Sequence, residues 1–238
     1  MVLPGRDGDK MPETTLAELL ERNAAHANAI PPDYFSRVES HQEPAAVSVC
    51  CADSRVSQEG MWSIEEPGWL FTPSTIGNQV WDSVDGELVV DGSVLYPIRF
   101  TNTKVTVVVG HTGCGAITAA LQSVNEGDGS YPTGVEKWVN LLKPVVQAGL
   151  GDESIDTDRD DLVNQLVEYN VDTQVSFLLD SEDMPADETV FGFVYDFQGV
   201  YGDRRGMVYL VNADGVTDID TLRSMVPTPF ESHVKRLT

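Results

Sequence analysis

Residues 104–109 read Lys-Val-Thr-Val-Val-Val, and Gly110-His111-Thr112-Gly113-Cys114-Gly115 follows at once. A β-branched run this dense suits a strand buried on both faces. The glycine-rich segment after it suits a tight loop, and 116–124 has the periodicity of a helix. A second run of the same kind, Ala45-Ala46-Val47-Ser48-Val49-Cys50-Cys51, leads into Ala52-Asp53-Ser54-Arg55. Two such strands need a sheet with a layer on each side.

The rest of the chain agrees. Residues 14–27 read as an amphipathic helix, with Leu16, Leu19, Leu20 and Ala24 on one face and Thr14 or Thr15 as its cap. Pro31-Pro32 ends it, and 33–39 has room for a second short helix. Helices are also expected over 93–101, 135–150 and 160–179, and short strands over 69–71, 190–195 and 207–211, the last two joined by a glycine-rich turn. Alternating strands and helices predict an α/β fold: a mainly parallel central β-sheet flanked by helices, with an N-terminal helical arm. The expected organisation is an arm over 1–44 and one globular α/β domain over 45–238.

Charge narrows the partners. Lys and Arg total 15 against 38 Asp and Glu, a formal net charge of −23. Such a field repels nucleic acid and anionic lipid, so neither is an expected partner. No apolar run approaches the roughly 20 residues that span a bilayer, and the polar start of the chain has no signal-peptide core. Three cysteines make no disulfide framework. The expectation is a soluble cytoplasmic protein, with an acidic composition like that of proteins from salt-loving organisms.

Ligands of open parallel sheets bind beyond the carboxyl ends of the strands. Neighbouring strands lie about 4.8 Å apart, so Cys51 and His111 converge if their strands are adjacent. Cys114 reaches the same place from the following loop. Two thiolates and an imidazole suit Zn²⁺, and three protein ligands leave the open position of a catalytic site. The alternative is that these are buried apolar cysteines and a core histidine. Cys50 faces the other side of the strand and reads as a core residue. His26, His41 and His233 read as surface or incidental. Asp53 and Arg55 are either a loop ion pair or an oriented pair beside the metal.

Cys51-Ala52-Asp53-Ser54-Arg55-Val56 and Gly110-His111-Thr112-Gly113-Cys114-Gly115 together resemble the β-class carbonic anhydrases, in the plant-like, open-site branch. The similarity runs from about residue 42 to 124, with a shorter match at Phe193-Val194-Tyr195-Asp196. It implies that Cys51, His111 and Cys114 ligate zinc and that Asp53 and Arg55 form the catalytic dyad. It also implies that Gln42, Phe71 and Tyr96 line a substrate pocket, reaching the metal across a dimer interface. The implied activity is reversible hydration of CO₂ to bicarbonate and a proton by zinc-bound hydroxide, in a homodimer or larger homo-oligomer. Two alternatives remain. One is a relative of the same fold that hydrolyses carbon disulfide or carbonyl sulfide, and the other is a non-catalytic zinc-binding module. A thiol redox protein is disfavoured, since the chain has no Cys-x-x-Cys.

Two positions depart from the family pattern. Ser74 stands where members usually carry an arginine, and Ser48 stands where the bicarbonate-inhibited branch has a tryptophan. Both favour a site in which Asp53 pairs with Arg55 and does not close on the metal.

At 1 M salt the Debye length is only about 3 Å, so self-repulsion among the acids is then quenched. Circular dichroism through a salt series is expected to show the full native signal only at molar salt. An undiminished signal in dilute buffer contradicts the salt-loving reading.

Overall fold

The computed structural model describes residues 16–127 and 129–238. The proposed caps Thr14 and Thr15 lie outside the described residues. The chain divides into two compact units, Met1–Ser40 and His41–Thr238. In the first, α1 (Leu16–Ala29) forms where expected, with Glu18 and Arg22 paired one turn apart at 2.7 Å. Leu16, Leu19 and Leu20 are all exposed. The short helix expected over 33–39 does not form. Tyr34, Ser36 and Val38 bond back three residues, to Pro31, Asp33 and Phe35, which makes successive turns and no continuous helical ladder. Asp33 and Ser36 are turn formers that compete with a helix.

The second unit is built on β1 (Ala46–Cys51), β2 (Leu70–Phe71), β3 (Ser74–Thr75), β6 (Val105–His111), β7 (Thr189–Asp196) and β8 (Met207–Ala213). The strand order is β2-β1-β6-β7-β8, with β3 following β2 along the same edge of β1. Every pairing is parallel except β7 with β8. The expected mainly parallel α/β sheet is therefore present. Pro73 separates β2 from β3, and its carbonyl still accepts the Cys50 N–H at 3.2 Å. A separate hairpin, β4 (Trp81–Val84) and β5 (Glu87–Val90), turns at Asp85-Gly86, both with positive φ. That dipeptide favours a tight hairpin turn.

The helices are α2 (Gln58–Met61), α3 (Gly92–Phe100), α4 (Gly115–Glu126), α5 (Thr133–Leu150), α6 (Leu162–Asp180) and α7 (Ile219–Met225). Among the described residues no helix is long and apolar enough to cross a membrane. The large core lies between the sheet and α4–α6, and it includes Val47, Val49, Cys51, Val108 and Val194. Cys50, Val107 and Val109 belong to a smaller cluster. Strand alternation thus separates the two adjacent cysteines, as the reading of Cys50 as core expects. Burial pushes the Cys50 thiol up to about 12.

Helix α6 lies unusually close to the sheet. A Cβ added at Gly110 would meet Val167 Cγ1 and Val171 Cγ2 at 2.8 Å each, and one added at Gly192 would meet Val171 Cγ1 at 2.7 Å and Asn212 Cβ at 2.9 Å. Val167, Val171 and Val175 follow at four-residue spacing, so one ridge of α6 crosses both glycines. Overpacking of this kind costs about 1–3 kcal/mol. Gly192→Ala is expected to lower the urea midpoint with an unchanged slope. A wild-type midpoint would show that the helix can back away freely.

Candidate metal centre

The parallel register pairs Cys50 with Val109, so Cys51 and His111 emerge from the same end of adjacent strands. Gly113 takes φ +64° to turn the chain, and Cys114 becomes the N-cap of α4. One ligand atom from each of Cys51, His111 and Cys114 lies within 4.8 Å of the others, and all three residues are buried. Cys51 Sγ and Cys114 Sγ are 3.9 Å apart. Two zinc–sulfur bonds of about 2.3 Å at a tetrahedral angle place their sulfurs about 3.8 Å apart. The separation matches a shared zinc ion, and no disulfide joins these thiols.

The histidine is oriented for the same purpose. His111 Nδ1 lies 3.0 Å from the Thr112 carbonyl oxygen, which can only accept, so Nδ1 carries the proton. Nε2 is then left with its lone pair, buried and without a hydrogen-bond partner. A buried nitrogen beside two sulfurs, with no hydrogen-bond partner of its own, is what a bound cation would satisfy. The donor set fits zinc, with three protein ligands.

The thiols support this. Their mutual hydrogen bond lowers the Cys114 pKa, and so do the Ile117 and Ala116 N–H groups at the start of α4, against the effect of burial. A helix N-terminus favours a thiolate. The same bond and burial push the Cys51 thiol up. The Gly77 N–H reaches Cys51 Sγ at 3.4 Å.

Asp53 and Arg55 stand beside this group. Arg55 Nε and Nη2 donate to Asp53 Oδ1 and Oδ2 at 2.9 and 2.6 Å, and the Arg55 N–H adds a third bond at 2.9 Å. The Arg55 side chain holds the Asp53 carboxyl down at about 2, despite some burial. Arg55 Nη2 also donates to the Gly113 carbonyl at 3.2 Å, tying the dyad to the loop that carries Cys114. Asp53 Oδ2 is 3.6 Å from His111 Nε2, too long for a hydrogen bond. The carboxylate therefore faces the metal position while both its oxygens are held by Arg55.

The other expected residues lie elsewhere in this chain. Phe71 pairs with Val47, four residues before Cys51, which is roughly 13 Å along the strand. Tyr96 packs against Phe71 with ring centroids 6.2 Å apart, and Gln42 is exposed. Ser74 accepts a bond from Gln58 Nε2 at 3.1 Å. His26 and His41 are exposed, whereas His233 is half-buried and bonds the Val208 carbonyl at 2.9 Å.

Helix α6 supplies contacts that the sequence reading did not find. Asn164 Oδ1 accepts the Gly113 N–H at 2.8 Å. Asn170 Nδ2 donates to the Gly77 carbonyl at 3.1 Å, and Gln174 Oε1 accepts the Val80 N–H at 2.9 Å. These amides fix two of the segments that touch the sulfurs and the dyad. Their only sequence signal is polar residues at helical spacing, which ordinarily mark a solvated face.

A profile of the carbonic anhydrase family matches residues 46–199. Carbonic anhydrase 2 of Mycobacterium tuberculosis is 35% identical over 121 residues, 50% of this chain and 54% of that protein. The chain thus spans about half the length of that curated relative. The Coccomyxa β-carbonic anhydrase, solved with acetazolamide, superposes with a TM-score of 0.66 at 26% identity, over 88% of this chain and 91% of that one. The tetrameric β-carbonic anhydrases of Sordaria macrospora share the fold, with a TM-score of 0.66 at 22% identity over 82% and 96%. The matched region contains both halves of the cysteine–histidine group and the whole sheet up to β7, and the chain belongs to the β-class carbonic anhydrase family.

Proposed function

We propose that the protein catalyses the reversible hydration of CO₂ to bicarbonate and a proton, with zinc held by Cys51, His111 and Cys114. The observation that carries this reading is the Asp53–Arg55 fork beside an otherwise complete three-ligand group. A metal that only stapled the fold would have no use for a carboxylate fixed next to an open position. Zinc held by these three side chains would supply a Lewis acid, lowering the pKa of a bound water to about 7.

The protein's own residues do the rest. Asp53 is kept ionised by Arg55, so it accepts a hydrogen bond and orients the donor. His111 is locked by Thr112 in the tautomer that presents Nε2. Burial of the three ligands keeps bulk water from competing for them. The family resemblance assigns Gln42, Phe71 and Tyr96 to the substrate pocket of a second copy, and the register, which sets Phe71 far from Cys51 in its own chain, agrees with that. The exposed rings of Tyr96 and Phe100, 5.5 Å apart, give that second copy an apolar surface to cover. A homodimer is the smallest assembly that completes such a pocket. The tetrameric Sordaria enzymes lend support to assembly beyond the single chain. Three buried, unbridged thiols and the acidic composition support a cytoplasmic, salt-loving origin.

Paired substitutions separate binding from turnover. Cys114→Ser is expected to emerge without zinc by elemental analysis, and a full equivalent of metal contradicts the ligand assignment. Asp53→Asn is expected to keep its zinc and lose most stopped-flow CO₂ hydration, by about 10²-fold or more on the scale of a lost orienting group. Wild-type turnover in that variant refutes the role given to Asp53.

A further inference from the structure

Phe197 follows directly on β7, two residues past Tyr195, the register partner of His111. Its ring stacks on the His111 imidazole, with centroids 5.7 Å apart and planes 25° from parallel. The Arg55 guanidinium carbon lies 4.8 Å from the centroid of the same ring. One half-buried aromatic thus touches a residue of the metal group and a residue of the dyad, although neither neighbours it in sequence.

The turn that carries the ring is closed on Asp196. Asp196 is fully buried, and its Oδ1 accepts the Gln198 and Gly199 N–H groups at 3.1 and 2.8 Å. Its Oδ2 accepts the Tyr201 N–H at 2.8 Å. Thr112 Oγ1 donates to Asp196 Oδ1 at 3.3 Å, linking the turn to the residue that follows His111. A turn closed by three backbone N–H groups on one carboxylate leaves Phe197, which lies within it, little freedom. Arg55 needs such a support, since its side chain is 48% exposed and hydrogen bonds hold only its Asp53 side and the Gly113 carbonyl.

We propose that Phe197 is a positioning residue of the metal centre, a single ring that aligns the His111 imidazole and presses the Arg55 guanidinium into the plane of its fork with Asp53. Guanidinium on an aromatic face is favourable both as a cation–π contact and by stacking. Aromatic stacking on the imidazole adds a preference for one ring orientation. Hydrogen bonds set which atoms of Arg55 and His111 meet their partners, and Phe197 limits the tilt of both planes. This inference rests on the proposed CO₂ hydration for its kinetic arm, and on the metal group alone for its second arm.

The test compares zinc-loaded wild type with Phe197→Leu and Phe197→Trp. Leucine keeps apolar bulk and removes the π face, whereas tryptophan keeps the face. Stopped-flow hydration is expected to show kcat lower by roughly two- to thirty-fold in Phe197→Leu, with KM within twofold, the range of a lost cation–π contact. Zinc loss to a chelator is expected to quicken by about two- to tenfold in that variant, the range of one aromatic stack. Phe197→Trp is expected to restore both values. Thermal melting of each holoprotein checks the fold. Wild-type kcat and zinc loss in Phe197→Leu overturn the proposal, as does a kcat loss that tryptophan leaves unrepaired. A fall in melting temperature with zinc loss unchanged reduces Phe197 to packing. If wild type itself hydrates no CO₂, the functional reading fails and the zinc-loss arm still decides the His111 half.

Discussion

The metal group depends on the register of β1 against β6. Cys50 and Cys51 are adjacent and chemically identical, so only their position in the ladder decides which thiol meets His111. With Cys50 opposite Val109, Cys51 faces the helical layer and Cys50 joins Val107 and Val109 in the other cluster. A slip of one residue would exchange their faces. The flanking residues resist this slip, because Val47 and Val49 are fully buried on the same side as Cys51.

Helix α6 converts that register into a site. Its valine ridge presses on Gly110 and Gly192, and this close approach lets short amides reach the loops. Asn164 meets Gly113, Asn170 meets Gly77, and Gln174 meets Val80. Further along, buried Glu168 accepts the Tyr201 hydroxyl at 2.6 Å and the Leu237 N–H at 2.9 Å. Arg236 reaches both Glu168 and Asp172. One helix therefore anchors the loop that carries Cys114, the segment whose N–H meets Cys51, and the turn that contains Phe197. Errors in its seating would reach all three together.

The strands and the cysteine–histidine group were legible because their signals are local. The β-branched runs could hardly be anything but buried strands, and each ends in residues whose chemistry is unusual for a core. Other features were less open to reading. The β4–β5 hairpin has its turn signal in Asp85-Gly86, yet its arms are four residues each and partly polar, so the signal was easy to pass over. Polar residues of α6 look like a solvated face until the sheet, α5 and the loops are seen to enclose them. Phe197 lies one residue past the match at Tyr195-Asp196, and only the β6–β7 pairing brings it to His111. The short helix expected over 33–39 failed because its residues satisfy three-residue turns first.

The few cations of this chain are not distributed evenly in importance. Arg55 and Arg236 hold carboxylates whose side chains are 16% exposed or less at Asp53 and Glu168, while pairs such as Lys104–Asp187 sit in open water. Dissolved ions weaken exposed pairs much more than enclosed ones. A concentrated brine would mute the mutual repulsion of the outer carboxylates and leave the inner arginine clamps almost untouched. The molecule is thus divided electrostatically into a shell that answers to its solvent and a centre that keeps its own geometry.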